Sequence, residues 1–249
     1  MAGHSKWANI KRRKGAQDAV RGKLFTKLIR EITVAARMGG GDLDANARLR
    51  LAVDKAKSQS MPKDNIARAI AKGTGNIDTD NWEELTMEGY GPGGVAVLLE
   101  ILTDNRNRTT GEVRHAFTKC NGNLGTTGCV GYMFHRKGVI ILEEENTDED
   151  ELMLAALDLG AEDIVQDEGA WEVLCPVDAF EALRDGLSEL GFVIQSAELT
   201  FVPDNNTAIE SKDAEQLLRL VDILDDCDDV QNVHHNADIS AEELERIVG

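Results

Sequence analysis

The chain has 249 residues, of which 42% are hydrophobic and 29% charged, and a formal net charge of −18. This is a globular composition with room for one to three domains. It contains no apolar run of membrane-spanning length and no apolar stretch after the basic start that would make a signal peptide. The charge is segregated: residues 1–80 carry +9, residues 81–137 are neutral, and residues 138–249 carry −27. Such asymmetry predicts modules with different partners.

The basic end comes first. From Met1 to Arg30 there are nine Lys or Arg against one acid, Asp18. Lys6, Lys11, Arg12, Arg13 and Lys14 lie in a stretch with almost no apolar material, which reads as a basic arm. From about Ala16 the period becomes helical. Leu24, Phe25, Leu28, Ile29, Ile32 and Ala36 share one half of the helical wheel, and Lys23, Lys27, Arg30 and Arg37 the opposite side, with Val34 the misfit. An apolar stripe that docks and a basic stripe that prolongs the arm form an electrostatic footprint whose commonest partner is phosphate.

Gly39-Gly40-Gly41 stops this helix. Asp42 or Asp44 is expected to cap a second one carrying Leu49, Ala52, Val53 and Ala56. Pro62 opens a third, with Ile66, Ala69 and Ile70 buried and Gly73 as its stop. Residues 1–80 thus read as a basic arm and a small helical bundle.

The run EGYGPGG reads as a turn-rich lead-in to a buried strand over Val95–Leu102. It is not a phosphate loop, because Gly94 leads into a strand and no Gly-Lys-Ser/Thr opens a helix. DNRNRT follows, then a helix with Thr109 and Glu112 as a capping box. Arg106 and Arg108 sit at its N-terminus, where free N–H groups favour anions. Val130–Phe134 reads as a further strand.

The next segment predicts strand 139–142, helix 150–159, strands 163–166 and 170–175, helix 177–190 and an extended stretch 192–201. That β-α-β-β-α-β order is ferredoxin-like. Helix 212–224 and strand 230–234 close the pattern. The expected fold is α+β: a three-helix domain (1–80), then two ferredoxin-like units, with 137–195 inserted in the unit formed by 81–136 and 196–249.

Catalysis and cofactors find no support. The four Cys are scattered without a CxxC, as expected of small buried residues in a reducing cytoplasm. His4, His115 and His135 are isolated, and His234-His235 would point to opposite strand faces, so no metal site is expected. No GxSxG is present. Two working surfaces remain. The basic end fits nucleic acid, DNA or RNA, through phosphate and shape contacts; aromatics at 4% argue against base stacking. The acidic half is either a solvated surface, a site for basic proteins, or a counter-surface to the basic arm until nucleic acid displaces it. No membrane or small-molecule substrate is implied.

The start MAGHSKWANIKRRKGAQDAVRGKLFTKLIREI, with GGGDLDANARLRLAVDKAK, EGYGPGGVAVLLE, DNRNRT and EVRHAF, closely resembles the YebC/PmpR family over essentially the full length. The resemblance implies a helical N-terminal domain and two α/β domains, one interrupting the other. It also implies a cytoplasmic, probable transcriptional regulator. Mitochondrial relatives act as translational activators of cytochrome c oxidase, and bacterial ones are linked to the ribosome. On this resemblance Lys6, Lys11, Arg12, Arg13, Lys14, Lys23, Lys27, Arg30, Arg106 and Arg108 are the expected nucleic-acid contacts.

Overall fold

The computed structural model describes residues 18–75, 82–145, 147–167 and 169–248. The arm cations Lys6, Lys11, Arg12, Arg13 and Lys14 lie outside the described residues.

Three helices come first: α1 (Asp18–Gly39), α2 (Ala47–Ser58) and α3 (Lys63–Thr74). Leu28, Ile32, Ala36, Leu49, Val53 and Ile66 form their common core. Two expectations change in detail. The cap of α2 is Asn46, whose side chain accepts from Leu49 N–H and donates to the carbonyls of Ala35 and Gly40. Asp42 and Asp44 are too far along the preceding turn. Gly73 is no stop but a contact point: a Cβ there would fall on the Thr33 carbonyl and within 2.8 Å of Ala36 Cβ, so its missing side chain lets α1 and α3 touch.

The second unit opens on a hairpin, β1 (Glu83–Tyr90) and β2 (Ala96–Thr103), followed by α4 (Arg106–Lys119) and a two-residue β3 (Asn123–Leu124). EGYGPGG is a turn only from Gly91 onward. Glu88 to Tyr90 belong to β1, paired with β2 from Glu83↔Thr103 to Tyr90↔Ala96. Gly93 and Gly94 make the turn with positive φ, 67° and 76°, a conformation that glycine adopts without steric cost. The expected strand over Val130–Phe134 is instead a one-turn helix at Gly131–Met133 running into β4.

The third unit is β4 (Phe134–Glu143), α5 (Glu149–Asp158), β5 (Asp163–Asp167), β6 (Ala170–Cys175), α6 (Phe180–Glu189) and β7 (Ile194–Pro203). Its sheet runs β5-β6-β4-β7 with antiparallel neighbours, the ferredoxin-like arrangement. This sheet reaches from Phe134 to Pro203, past both 137 and 195, because β4 and β7 pair along their whole length. The chain then returns through β8 (Thr207–Ala208), α7 (Ser211–Asp225), β9 (Val230–His235), β10 (Ala237–Asp238) and α8 (Ala241–Val248). β9 completes the first sheet, β3-β1-β2-β9. That unit therefore reads β-β-α-β before the interruption and α-β after it.

Each sheet buries one face under helices. Val97, Leu99 and Ile101 pack with Phe117, Leu217, Leu220 and Val221. Ile140, Leu142 and Val173 pack with Leu152, Phe180, Leu183 and Leu187. The opposite faces of the two sheets, together with α2, border a cleft of about 1080 Å³.

Candidate functional site

Helix α1 has two occupied sides. Its apolar stripe enters the helical core, as the period predicts. Its basic side meets the turn after α7, Asp225-Asp226-Cys227-Asp228-Asp229. Lys23 pairs with Asp226 at 2.9 Å. Lys27, buried, donates to the Asp225 carbonyl at 2.7 Å. Arg30 donates to the Asp228 carbonyl at 2.6 Å and to Asp229 Oδ1 at 3.2 Å, and its guanidinium lies 4.9 Å from the centre of the Trp82 ring. Val34 on the same side is buried as well. The misfit of the wheel is thus explained, since that side is a second packing surface and not a solvent face.

DNRNRT reaches the same place from the other side. The cap of α4 is Asn105, which accepts from Arg108 N–H at 3.1 Å, so Arg106 and Arg108 lie inside the first turn and Thr109 is not the cap. Cations in a first turn oppose the helix dipole, and both have acidic neighbours. Arg108 donates to Asp104 at 2.7 Å and to Asp229 Oδ2 at 2.6 Å. Arg106 pairs with Glu83 at 3.4 Å.

Asp229 is the hub. It is 3% exposed and also accepts from Thr109 Oγ1 at 2.7 Å and Thr103 Oγ1 at 3.1 Å. Burial alone would push its carboxyl up. The donors Arg108, Thr109 and Thr103 outweigh burial and hold it below the usual carboxylate range. Lys23, Lys27, Arg30 and Arg108, distant in sequence, converge on one acidic turn, with Arg106 beside Glu83 next to Trp82. They form a network of alternating charge rather than a bare positive patch.

Four groupings were not visible in the sequence. Glu88, buried, accepts N–H bonds from Gly128 at 2.8 Å, Val130 at 2.8 Å and Gly131 at 2.6 Å. Burial raises its carboxyl, and these backbone donors bring it below the ordinary value. On the cleft face, His234 Nε2 lies 3.0 Å from Glu100 Oε2 and His234 Nδ1 lies 3.3 Å from Thr200 Oγ1, which ties β9 and β2 to β7. Burial first, then the adjacent His234, depresses His235 to about 4. Arg50 forks onto Glu181 at 2.9 and 3.1 Å, joining α2 to α6. Arg48 pairs with Glu84. The hint in the sequence is a charge inside an apolar run, as at Glu100 in β2; Glu88 has none.

Among the described residues no group of three His, Cys, Asp or Glu could hold a metal ion. No helix there is long and apolar enough to cross a membrane. Cys120 and Cys175 are buried and Cys129 and Cys227 half-buried; burial pushes the Cys175 thiol up to about 11.

A helical bundle joined to two interleaved α/β units, with basic and acidic segments interlocked at one seam, defines an α+β protein built around charge. Its comparisons with known proteins are decisive about kinship. Residues 5–76 match the TACO1/YebC protein N-terminal domain and residues 82–237 match the TACO1/YebC second and third domain. A probable transcriptional regulatory protein of Syntrophotalea carbinolica is 60% identical over 249 residues, covering 100% of both chains. One from Geobacter sulfurreducens is 55% identical over 248 residues, again covering 100% of both. The crystal structure of the conserved hypothetical protein Aq1575 from Aquifex aeolicus superposes with a TM-score of 0.81 at 45% identity, over 91% of this chain and 94% of that one. The chain belongs to the TACO1/YebC family.

Proposed function

We propose that the protein is a cytoplasmic, non-enzymatic regulator of gene expression that binds nucleic acid through its first thirty residues. The observation that supports the reading is the basic side of α1, whose cations engage the oxygens of an acidic turn. Lys23, Lys27 and Arg30, one turn apart, meet the Asp226 carboxylate, the Asp225 carbonyl, and the Asp228 carbonyl with Asp229 Oδ1. Cations that donate to oxygens at that pitch can donate to phosphate oxygens once the turn yields, and Lys6, Lys11, Arg12, Arg13 and Lys14 precede them in the chain. DNA is the first target to consider, since the similar proteins are named as transcriptional regulators.

A second reading, structured RNA such as that of the ribosome, is favoured by one feature. Both sides of α1 are packed, so it offers no bare recognition helix for a major groove. Contact through phosphates and shape suits a folded RNA as well as a duplex. Arg106 and Arg108 belong to this reading as secondary contacts, reached once Glu83 and Asp229 yield them.

The test is to measure full-chain affinity for a DNA duplex and an RNA hairpin of equal length, beside a variant with Lys6, Lys11, Arg12, Arg13 and Lys14 changed to Ser. Loss of both affinities supports the reading, and whichever target the unaltered chain prefers selects between DNA and RNA. Equal binding by the variant would remove the proposed site.

A further inference from the structure

The inserted unit carries a second surface of opposite character. From Gly138 to Leu183 there are 15 Asp or Glu and no Lys, Arg or His. In the middle of that stretch α5 turns apolar side chains outward. Leu152 and Ala156 are fully buried against β4 and β6, but Leu154 is 70%, Leu157 59% and Met153 38% exposed. At about 100° per residue Met153, Leu157 and Leu154 fall within a single 100° arc turned away from Leu152 and Ala156. A solvent-facing helix stripe is ordinarily polar, and contiguous exposed apolar patches mark interaction sites. The rim is acidic. Glu149, Asp150 and Glu151 precede the patch and Asp158 follows it, all exposed. Among the described residues none of these four forms an ion pair.

We infer that the outer face of α5 is the docking site for a basic amphipathic helix of a protein partner, which lays Leu-like side chains on Met153, Leu154 and Leu157 and sets Lys or Arg against Glu149, Asp150, Glu151 and Asp158. The charge selects the occupant. A second copy of this chain would bring two unneutralised acidic rims together, and like charges in register repel. Nucleic acid and anionic lipid carry the sign of the rim. A helix with apolar residues at i, i+3, i+4 and i+7 and cations beside them matches both the spacing and the sign. This surface is independent of the nucleic-acid reading, which concerns the first thirty residues.

The test uses the full chain and a labelled 18-residue peptide of Leu and Lys only, with Leu at amphipathic helical spacing, followed by fluorescence anisotropy at physiological salt. A peptide of the same composition with the spacing scrambled serves as control. The L154S/L157S double variant changes only exposed side chains, and its unfolding midpoint is measured alongside. The inference predicts at least tenfold weaker binding of the scrambled peptide, and at least tenfold weaker binding of the ordered peptide by the variant, with the midpoint unchanged. Equal binding of the two peptides, or equal binding by the two proteins, would overturn it. So would a dimer of the unaltered chain in sedimentation that the double variant abolishes, since a second copy would then be the occupant.

Discussion

Replacing Asp229 by Ala tests the hub at which α1, α4 and the α7–β9 turn meet. The carboxylate accepts from Arg108 at 2.6 Å, Thr109 at 2.7 Å, Thr103 at 3.1 Å and Arg30 at 3.2 Å. The two hydroxyls lose little, because they bond each other at 2.7 Å and Thr109 retains the Asn105 carbonyl; together they cost about 1 kcal/mol. Each guanidinium loses a charge-assisted bond, nominally about 1.5–3 kcal/mol. Arg108 is half-exposed and keeps Asp104, and Arg30 keeps the Asp228 carbonyl, so each contributes near the lower bound. The expected loss is about 3–4 kcal/mol, in the lower part of the range for removing one partner of a buried ion pair. The assay is urea unfolding followed by circular dichroism, with Arg106→Ala as control. Arg106 and Glu83 are both exposed, and such a pair is worth under about 1 kcal/mol. A loss below about 1 kcal/mol for Asp229→Ala would refute the assignment of Asp229 as the organising group.

Three further outcomes are expected. Glu88→Gln leaves one acceptor oxygen, where two now serve three backbone donors, and should cost about 2 kcal/mol in the same assay. Asp229 and Glu88 both have carboxyls held below their unfolded values of about 3.9 and 4.3. Their stabilisation is therefore complete above those values and disappears as pH falls through the lower folded ones, so the Asp229→Ala chain should lose less stability than the unaltered chain between pH 4 and the acid limit, as acid titration would show. Neutralising the exposed carboxylates in Asp226→Asn/Asp228→Asn should raise nucleic-acid affinity several-fold at low salt by releasing Lys23 and removing two competing negative charges beside Arg30; unchanged affinity would show that these acids do not compete with phosphate.

The sequence disclosed what periodicity and composition encode. The helical core of α1–α3, the buried strand β2 and the β-α-β-β-α-β order of the inserted unit all follow from apolar spacing. It concealed what depends on a partner far along the chain. β1 holds three acids and a glycine in eight residues and has no strand pattern, because Glu88 is satisfied by backbone N–H groups forty residues away. The basic side of α1 looked like solvent surface because nothing near it in sequence announces Asp225–Asp229. Within the acidic half the most conspicuous acidity lies in residues 138–195, yet the acids that meet α1 lie past residue 220. Local chemistry erred too where two caps competed, since Asn46 and Asn105 prevailed over Asp42, Asp44 and Thr109 by geometry alone.

Salt dependence is the most direct measure of whether cations at the start of the chain neutralise phosphates. Each contact made on duplex DNA adds about 0.9 to the slope of log affinity against log salt concentration. Changing Lys6, Lys11, Arg12, Arg13 and Lys14 to Ser should therefore flatten that slope by about 4.5 on a duplex if each makes one contact. An unchanged slope would place the phosphate contacts elsewhere on the molecule and contradict the account.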